Sequence, residues 1–186
     1  VNTYKIENNI IKLNYELTSM SEILQTILGN LKHCLNDKRV RIKFSLSAFN
    51  ILADKNFLTK AIYFLLNTAL NHAFKDTIIN INFKNETYTK LIITYHGQPL
   101  SHEEISRMYS QNPNFTTVGF GIQMYFCKKI IEFHHGSLKF VSEKDNINTF
   151  IINLPSSMLK NKKQTLTCAN LGVLQSIWTI YLLYKF

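Results

Sequence analysis

The sequence predicts a two-layer α+β sandwich, with helices packed on one side of a mixed sheet, and three observations carry that prediction. Apolar residues recur at helical spacing through two long segments, 21–35 and 56–74. Around residues 40–46, 79–84, 90–95, 137–141 and 148–154 the pattern changes to one of strands, with apolar and polar residues alternating where a strand is covered on one side. Cap and turn residues fall between these segments and not inside them.

Taken in order, Ser21 to Leu35 carries Ile23, Leu24, Ile27, Leu28, Leu31 and Leu35 on one helical face. Val40, Ile42, Phe44 and Leu46 then alternate with Arg39, Arg41, Lys43 and Ser45. Asp54 is placed to cap a second helix, from Asn56 to about Phe74, whose inward positions are Leu58, Ile62, Leu65, Leu66, Ala69 and Ala73. Ile79, Ile81 and Phe83 alternate with Asn80, Asn82 and Lys84, and the turn at Asn85-Glu86 leads into a partner strand, Lys90 to Tyr95. Ser101-His102-Glu103-Glu104 has the form of a capping box, and Pro113 marks the loop after the short helix. A last helix runs from about Gly121 to His134 and stops at Gly136. The phases predict one core containing Leu65, Ile79, Ile81, Ile92, Phe140 and Ile152.

The chain's 186 residues, 46% hydrophobic and 18% charged, suit one compact domain and exclude a disordered chain. The net charge of +9 favours phosphate, nucleic acid or an anionic membrane. Its lysines are scattered, which argues against a specific nucleic-acid-binding domain. Cys34, Cys127 and Cys168 have neither metal-ligand nor disulfide-framework spacing, as expected in a reducing compartment. Cys127 is read as core and not as a nucleophile, since no base is fixed near it in sequence. No signal peptide is legible, and a chain beginning with Val1 suits a fragment of something longer.

The stretch that points to chemistry is Gly119-Phe120-Gly121-Ile122-Gln123-Met124, running into a helix that ends His134-His135-Gly136. Two glycines spaced by one residue let backbone approach a ligand, and the amides of the helix start can face phosphate. An isolated pair of this kind is commonly a plain turn. Here it follows an Asp54-led helix, two alternating strands and the Gly97 turn, and precedes a strand closing on Leu154-Pro155. That order of parts resembles the ATP-binding domain of sensor histidine kinases, of the GHKL or Bergerat type, from about Ser21 to Pro155. The resemblance implies ATP and Mg2+ as cofactors, a response regulator or sensor-kinase partner, and a homodimer through an upstream helix.

Aligned with the family's motifs, the chain keeps the apolar frame and changes the polar groups. Phe64-Leu65-Leu66-Asn67-Thr68-Ala69-Leu70-Asn71-His72 matches the nucleotide-site helix, with Phe64 at the first polar position and Thr68 at that of the magnesium-binding amide. Asn67 stands one residue away, turned by about 100° on a helix. Tyr95-His96-Gly97-Gln98-Pro99 matches Asp-x-Gly-x-Gly, so Tyr95 replaces the adenine-reading carboxylate and Pro99 a glycine. In the glycine-rich loop Gly119 and Gly121 are kept and Gln123 takes the third glycine's place; His135 and Ile147 also stand where the family has glycine. His134 and His135 are read as helix C-terminal residues in preference to metal ligands. No histidine precedes His33, which lacks the acidic neighbour usual for a phosphoacceptor.

Two readings follow. One is a degenerate domain, acting by protein contacts, whose remnant ATP site is Thr68, Asn67, Tyr95, Gly97, Gly119 and Gly121, with Thr68 a weak magnesium ligand. The other is an active module that binds ATP and Mg2+ weakly and phosphorylates a histidine on a separate dimerisation domain. By this division residues 1–20 are a linker or the end of an upstream dimerisation helix, 21–155 the ATP-binding-type domain, and 156–186 a basic linker with an apolar C-terminal helix. In the last part Lys160, Lys162 and Lys163 precede an uncharged run from Gln164 to Tyr184. Its length suits a bilayer span, whereas Asn170, Gln175 and Ser176 favour a helix packed on the domain or a partner. The expected location is cytoplasmic, with membrane association through this tail as the other reading.

Overall fold

The computed structural model describes residues 13–45, 50–85, 88–109 and 120–155. The first strand, β1 (Glu16–Ser19), leads directly into helix α1 (Met20–Lys38). Strands β2 (Arg41–Ser45) and β3 (Asn50–Ala53) follow, then helix α2 (Lys55–His72). The hairpin strands β4 (Ile78–Asn85) and β5 (Tyr88–His96) come next. Helices α3 (His102–Tyr109) and α4 (Phe120–Phe133) precede β6 (Ser137–Ser142), a 3-10 turn at Lys144–Asn146, and β7 (Ile147–Pro155).

Five strands form a mixed sheet in the order β2-β4-β5-β7-β6. β2 and β4 are parallel and the other pairs antiparallel, while β1 and β3 make a separate antiparallel pair. One face of the sheet carries Ile79, Ile81, Leu91, Ile93, Tyr95, Leu138, Phe150 and Ile152 into a core shared with α1, α2 and α4. This is the two-layer α+β sandwich that the periodicities predict.

Most of the predicted core residues are where their phase puts them: Leu65, Ile79, Ile81 and Ile152 are fully buried, and Phe140 packs partly buried against them. Ile92 is the exception. The inward phase of β5 is Thr89, Leu91, Ile93 and Tyr95, so Ile92 points to the open face of the sheet. With Leu91, Ile92 and Ile93 consecutive, alternation is lost in this stretch, and the helices cover the odd phase.

The caps follow local chemistry. Asp54 accepts the N–H of Phe57 at 3.0 Å, as an N-cap should. At α3 the capping box is complete: Ser101 N–H donates to Glu104 Oε2 at 2.7 Å, and Glu104 N–H donates to Ser101 Oγ at 3.2 Å. α4 ends with His135 in the left-handed region at φ 57°, where Gly136 N–H donates to Ile131 O and His135 N–H to Glu132 O. That conformation is the reason a glycine is usual there.

Glu16–Ser19 falls within the stretch assigned in sequence to a linker or upstream helix, and it is a strand. Asn14 N–H donates to Asp54 Oδ2 at 2.9 Å, and Tyr15 Oη–H donates to Phe133 O at 2.9 Å. The apolar tail and residues 110–119, which include Gly119, lie outside the described residues.

Candidate functional site

Of the remnant-site residues, those that are described sit on three elements. Thr68 and Asn67 lie on α2, Tyr95 and Gly97 at the end of β5, and Gly121 in the first turn of α4. α2 and α4 are packed together, which brings the elements bearing the matched motifs to one side of the molecule.

Gly97 is held at both its N–H and its carbonyl. Its N–H donates to Asn146 O at 3.0 Å, and its carbonyl accepts Asn148 Nδ2 at 2.9 Å. It forms a bridge to Ala73, just past α2, while Gln98 N–H donates to His72 O at 2.9 Å. A Cβ on Gly97 would stand 2.1 Å from His72 O, so the glycine is required by the contact between β5 and the end of α2. No ligand is needed to explain it.

Tyr95 is 1% exposed. Its ring lies 6.2 Å from that of Phe150, and its hydroxyl donates to Gln98 O at 3.4 Å. Burial, and secondarily the carboxylate of Glu104, pushes the phenol well above its usual range. A protonated phenol whose hydrogen is given to a carbonyl offers a ligand no charged acceptor.

The α2 positions have changed in the same direction. Phe64, at the first polar position, stacks edge to face on Phe126 of α4 at 5.9 Å, an apolar tie between the two helices. Thr68 is buried and its hydroxyl has no hydrogen-bond partner among the described residues. Asn67, half-buried, is on a neighbouring phase of the helix. Among the described residues no cluster of three or more His, Cys, Asp or Glu side chains could hold a metal ion. At the two positions matched to the magnesium amide and the adenine carboxylate the chain thus presents a buried hydroxyl and a buried phenol.

Lys38, from the end of α1, places its ammonium on the open carbonyls at the C-terminus of α2, donating to Leu70 O at 2.9 Å and to the carbonyls of Asn71 and Ala73. Desolvation there lowers its pKa, with Lys75 adding to the effect. His72 Nε2 stands 3.6 Å from Glu104 Oε1, linking the same helix end to α3.

Sequence reasoning missed Asn148, buried on β7 opposite Tyr95, whose Nδ2 holds both Gly97 O and Asn146 O while its Oδ1 has no partner among the described residues. It also missed the turn before β7, where Asp145 and Asn146 take φ of 62° and 59°. The Asp-Asn doublet was a legible signal for that turn. His134 is at the helix end as expected, and it is buried, with Nδ1 donating to Ile130 O at 2.7 Å. Cys127 is buried in the core, and burial pushes its thiol far up, which suits a packing role. No helix among the described residues is long and apolar enough to cross a membrane.

Comparison with known proteins agrees with this architecture. The Heme sensor protein HssS of Staphylococcus aureus is 24% identical over 163 residues, which cover 83% of this chain and 35% of HssS. The chain thus spans about a third of the length of the curated relatives it matches. The Acinetobacter baumannii histidine kinase AdeS superposes with a TM-score of 0.65 at 17% identity, over 83% of this chain and 73% of AdeS. The mycobacterial sensor histidine kinase MprB does so with a TM-score of 0.64 at 17% identity, over 76% of this chain and 97% of MprB. Residues 53–158 match the model of the histidine kinase-, DNA gyrase B- and HSP90-like ATPases, and by that match the chain belongs to this ATPase family.

Proposed function

We propose that this chain is the ATPase-type domain of a two-component sensor histidine kinase whose nucleotide site has been altered so far that it works chiefly through protein contacts. The observation that supports this best is Tyr95: where the family has a carboxylate, the chain has a buried phenol committed to Gln98 O and packed on Phe150. The Phe64–Phe126 contact supports it from the α2 side. In this reading the partners are a response regulator or a sensor kinase, with a homodimer formed through an upstream helix, in the cytoplasm.

A second reading, a weakly active kinase module using Gly97, Gly119, Gly121 and Thr68 for ATP and Mg2+, is favoured by one observation. The Thr68 hydroxyl and Asn148 Oδ1 are buried without partners among the described residues, and a ligand or water could satisfy them. Bound ATP would supply a transferable phosphoryl group; this chain's own contribution would be to seat it. Titrating the intact chain with ATP and Mg2+ by calorimetry separates the readings. Micromolar affinity, which requires about 8 kcal/mol, overturns the first.

A further inference from the structure

The open face of the five-stranded sheet carries a cluster of lysines at one end and charges of both signs at the other, where Arg41 and Lys144 stand among the carboxylates. Alternation points Lys84 of β4, Lys90 of β5 and Lys139 of β6 away from the helices, around Ile92 and Ile151, and all three lysines are exposed. The described carboxylates nearest this face belong to the opposite end: Asp76 precedes β4, while Glu143 and Asp145 flank the turn into β7. There Asp145 lines a shallow cavity with Ile78, His96 and Ile147.

Two features mark the cationic end as more than a solvated surface. Lys84 and Lys90 are direct partners in the β4–β5 register, an arrangement that costs stability through like-charge repulsion. Neither they nor Lys139 forms an ion pair with a described residue. Next along the same face is Tyr88, 53% exposed and paired with Pro155, where the chain leaves the sheet toward Lys160, Lys162 and Lys163. Residues 146–186 contain no acidic residue.

We propose that this end of the sheet face is a docking surface for an anionic lipid bilayer, with Lys84, Lys90 and Lys139 at the headgroups and Tyr88 at the interface. Lysines set around isoleucines on an open face, with an aromatic at the margin, match a fluid array of negative headgroups and the preference of tyrosine for the interfacial layer. The proposal is independent of whether the nucleotide site is active.

The test is co-sedimentation of the intact chain with vesicles of phosphatidylcholine and phosphatidylserine, and with vesicles of phosphatidylcholine alone. Binding to the anionic vesicles only is expected. Lys84→Gln with Lys90→Gln should weaken it roughly 25-fold, about fivefold for each lysine near the surface. The same variant should melt no lower than the parent, since a repulsion is removed, so lost binding is not lost folding. Lys32→Gln with Lys144→Gln, an equal charge change away from this end of the face, should leave binding within about twofold. Equal weakening by both pairs would assign the effect to net charge and overturn the proposal. So would loss of all binding on changing only Lys160, Lys162 and Lys163 to Gln, because the tail alone would then hold the membrane. Absence of anionic-vesicle binding, or retention by polyglutamate without vesicle binding, also overturns it.

Discussion

His134 and Asp54 are joined inside the protein, the backbone N–H of Asp54 donating to His134 Nε2 at 3.0 Å. Because Nδ1 donates to Ile130 O on the other side, the imidazole is neutral with its proton on Nδ1. The edge of Tyr15 closes the site, 5.6 Å away. One ring thereby ties the N-cap of α2 to the last turn of α4.

That arrangement makes stability depend on pH. Desolvation depresses the His134 pKa, outweighing the opposing effects of the Ile130 hydrogen bond and the Asp54 carboxylate; the nearby His135 depresses it further. The unfolded chain, titrating near 6.5, binds the proton more readily than the folded one, so stability rises with pH. The contribution is complete above about 6.5 and is lost as pH falls from there through the folded value. Melting temperatures measured across that interval should fall on acidification. His134→Gln should start lower at neutral pH and show a flatter dependence; an unchanged slope would remove His134 as its source.

Gly97 should tolerate no side chain. In Gly97→Ala the new methyl meets His72 O and the Cα of Ala73, both backbone atoms in the contact between α2 and β5. A loss of about 3 kcal/mol, or failure to fold, is expected from overpacking that neighbours cannot relieve by a rotamer change. Urea unfolding of the variant measures it. A cost below about 0.5 kcal/mol, the range of an ordinary surface change, would mean that the α2–β5 contact is looser than described.

Repair of the polar positions tests what remains of the pocket. Thr68→Asn with Tyr95→Asp restores an amide and a carboxylate at the matched positions, and ATP binding by calorimetry should become stronger than in the parent chain. The carboxylate would enter a buried place, so a lower melting temperature is expected alongside. If the double variant stays folded and binds no better, the space between α2 and the sheet is closed to adenine by more than the Tyr95 ring.

The architecture was legible because its signals are local. Helical spacing in 21–35 and 56–74, the Asp54 cap and the Ser101-Glu104 box each require only a few neighbouring residues, and all are realised in the structure. Ile92 was misplaced because three consecutive branched residues erase the period-two signal, and the face covered is settled by distant helices. Gly97 was legible as a special position, yet its reason was not: the carbonyl of His72, 25 positions earlier in the chain, occupies the place of its missing side chain. For the same reason no sequence pattern pairs Asn148 with Gly97, since the strand register that joins them exists only once the sheet is assembled.

The docking of residues 14–19 has a mechanical consequence. The backbone of Asn14 and the side chain of Tyr15 are fastened to Asp54 and Phe133, which lie at the start of α2 and the end of α4. Tension on the chain ahead of these residues therefore meets those two bonds before it reaches the antiparallel pairs of β1 and β3. Release of Asn14 leaves Asp54 Oδ1 still holding Phe57, so the cap of α2 survives it. A pull transmitted along the backbone would thus be taken up first at the start of α2 and the end of α4, the helix ends opposite the matched motifs, and not in the five-stranded sheet.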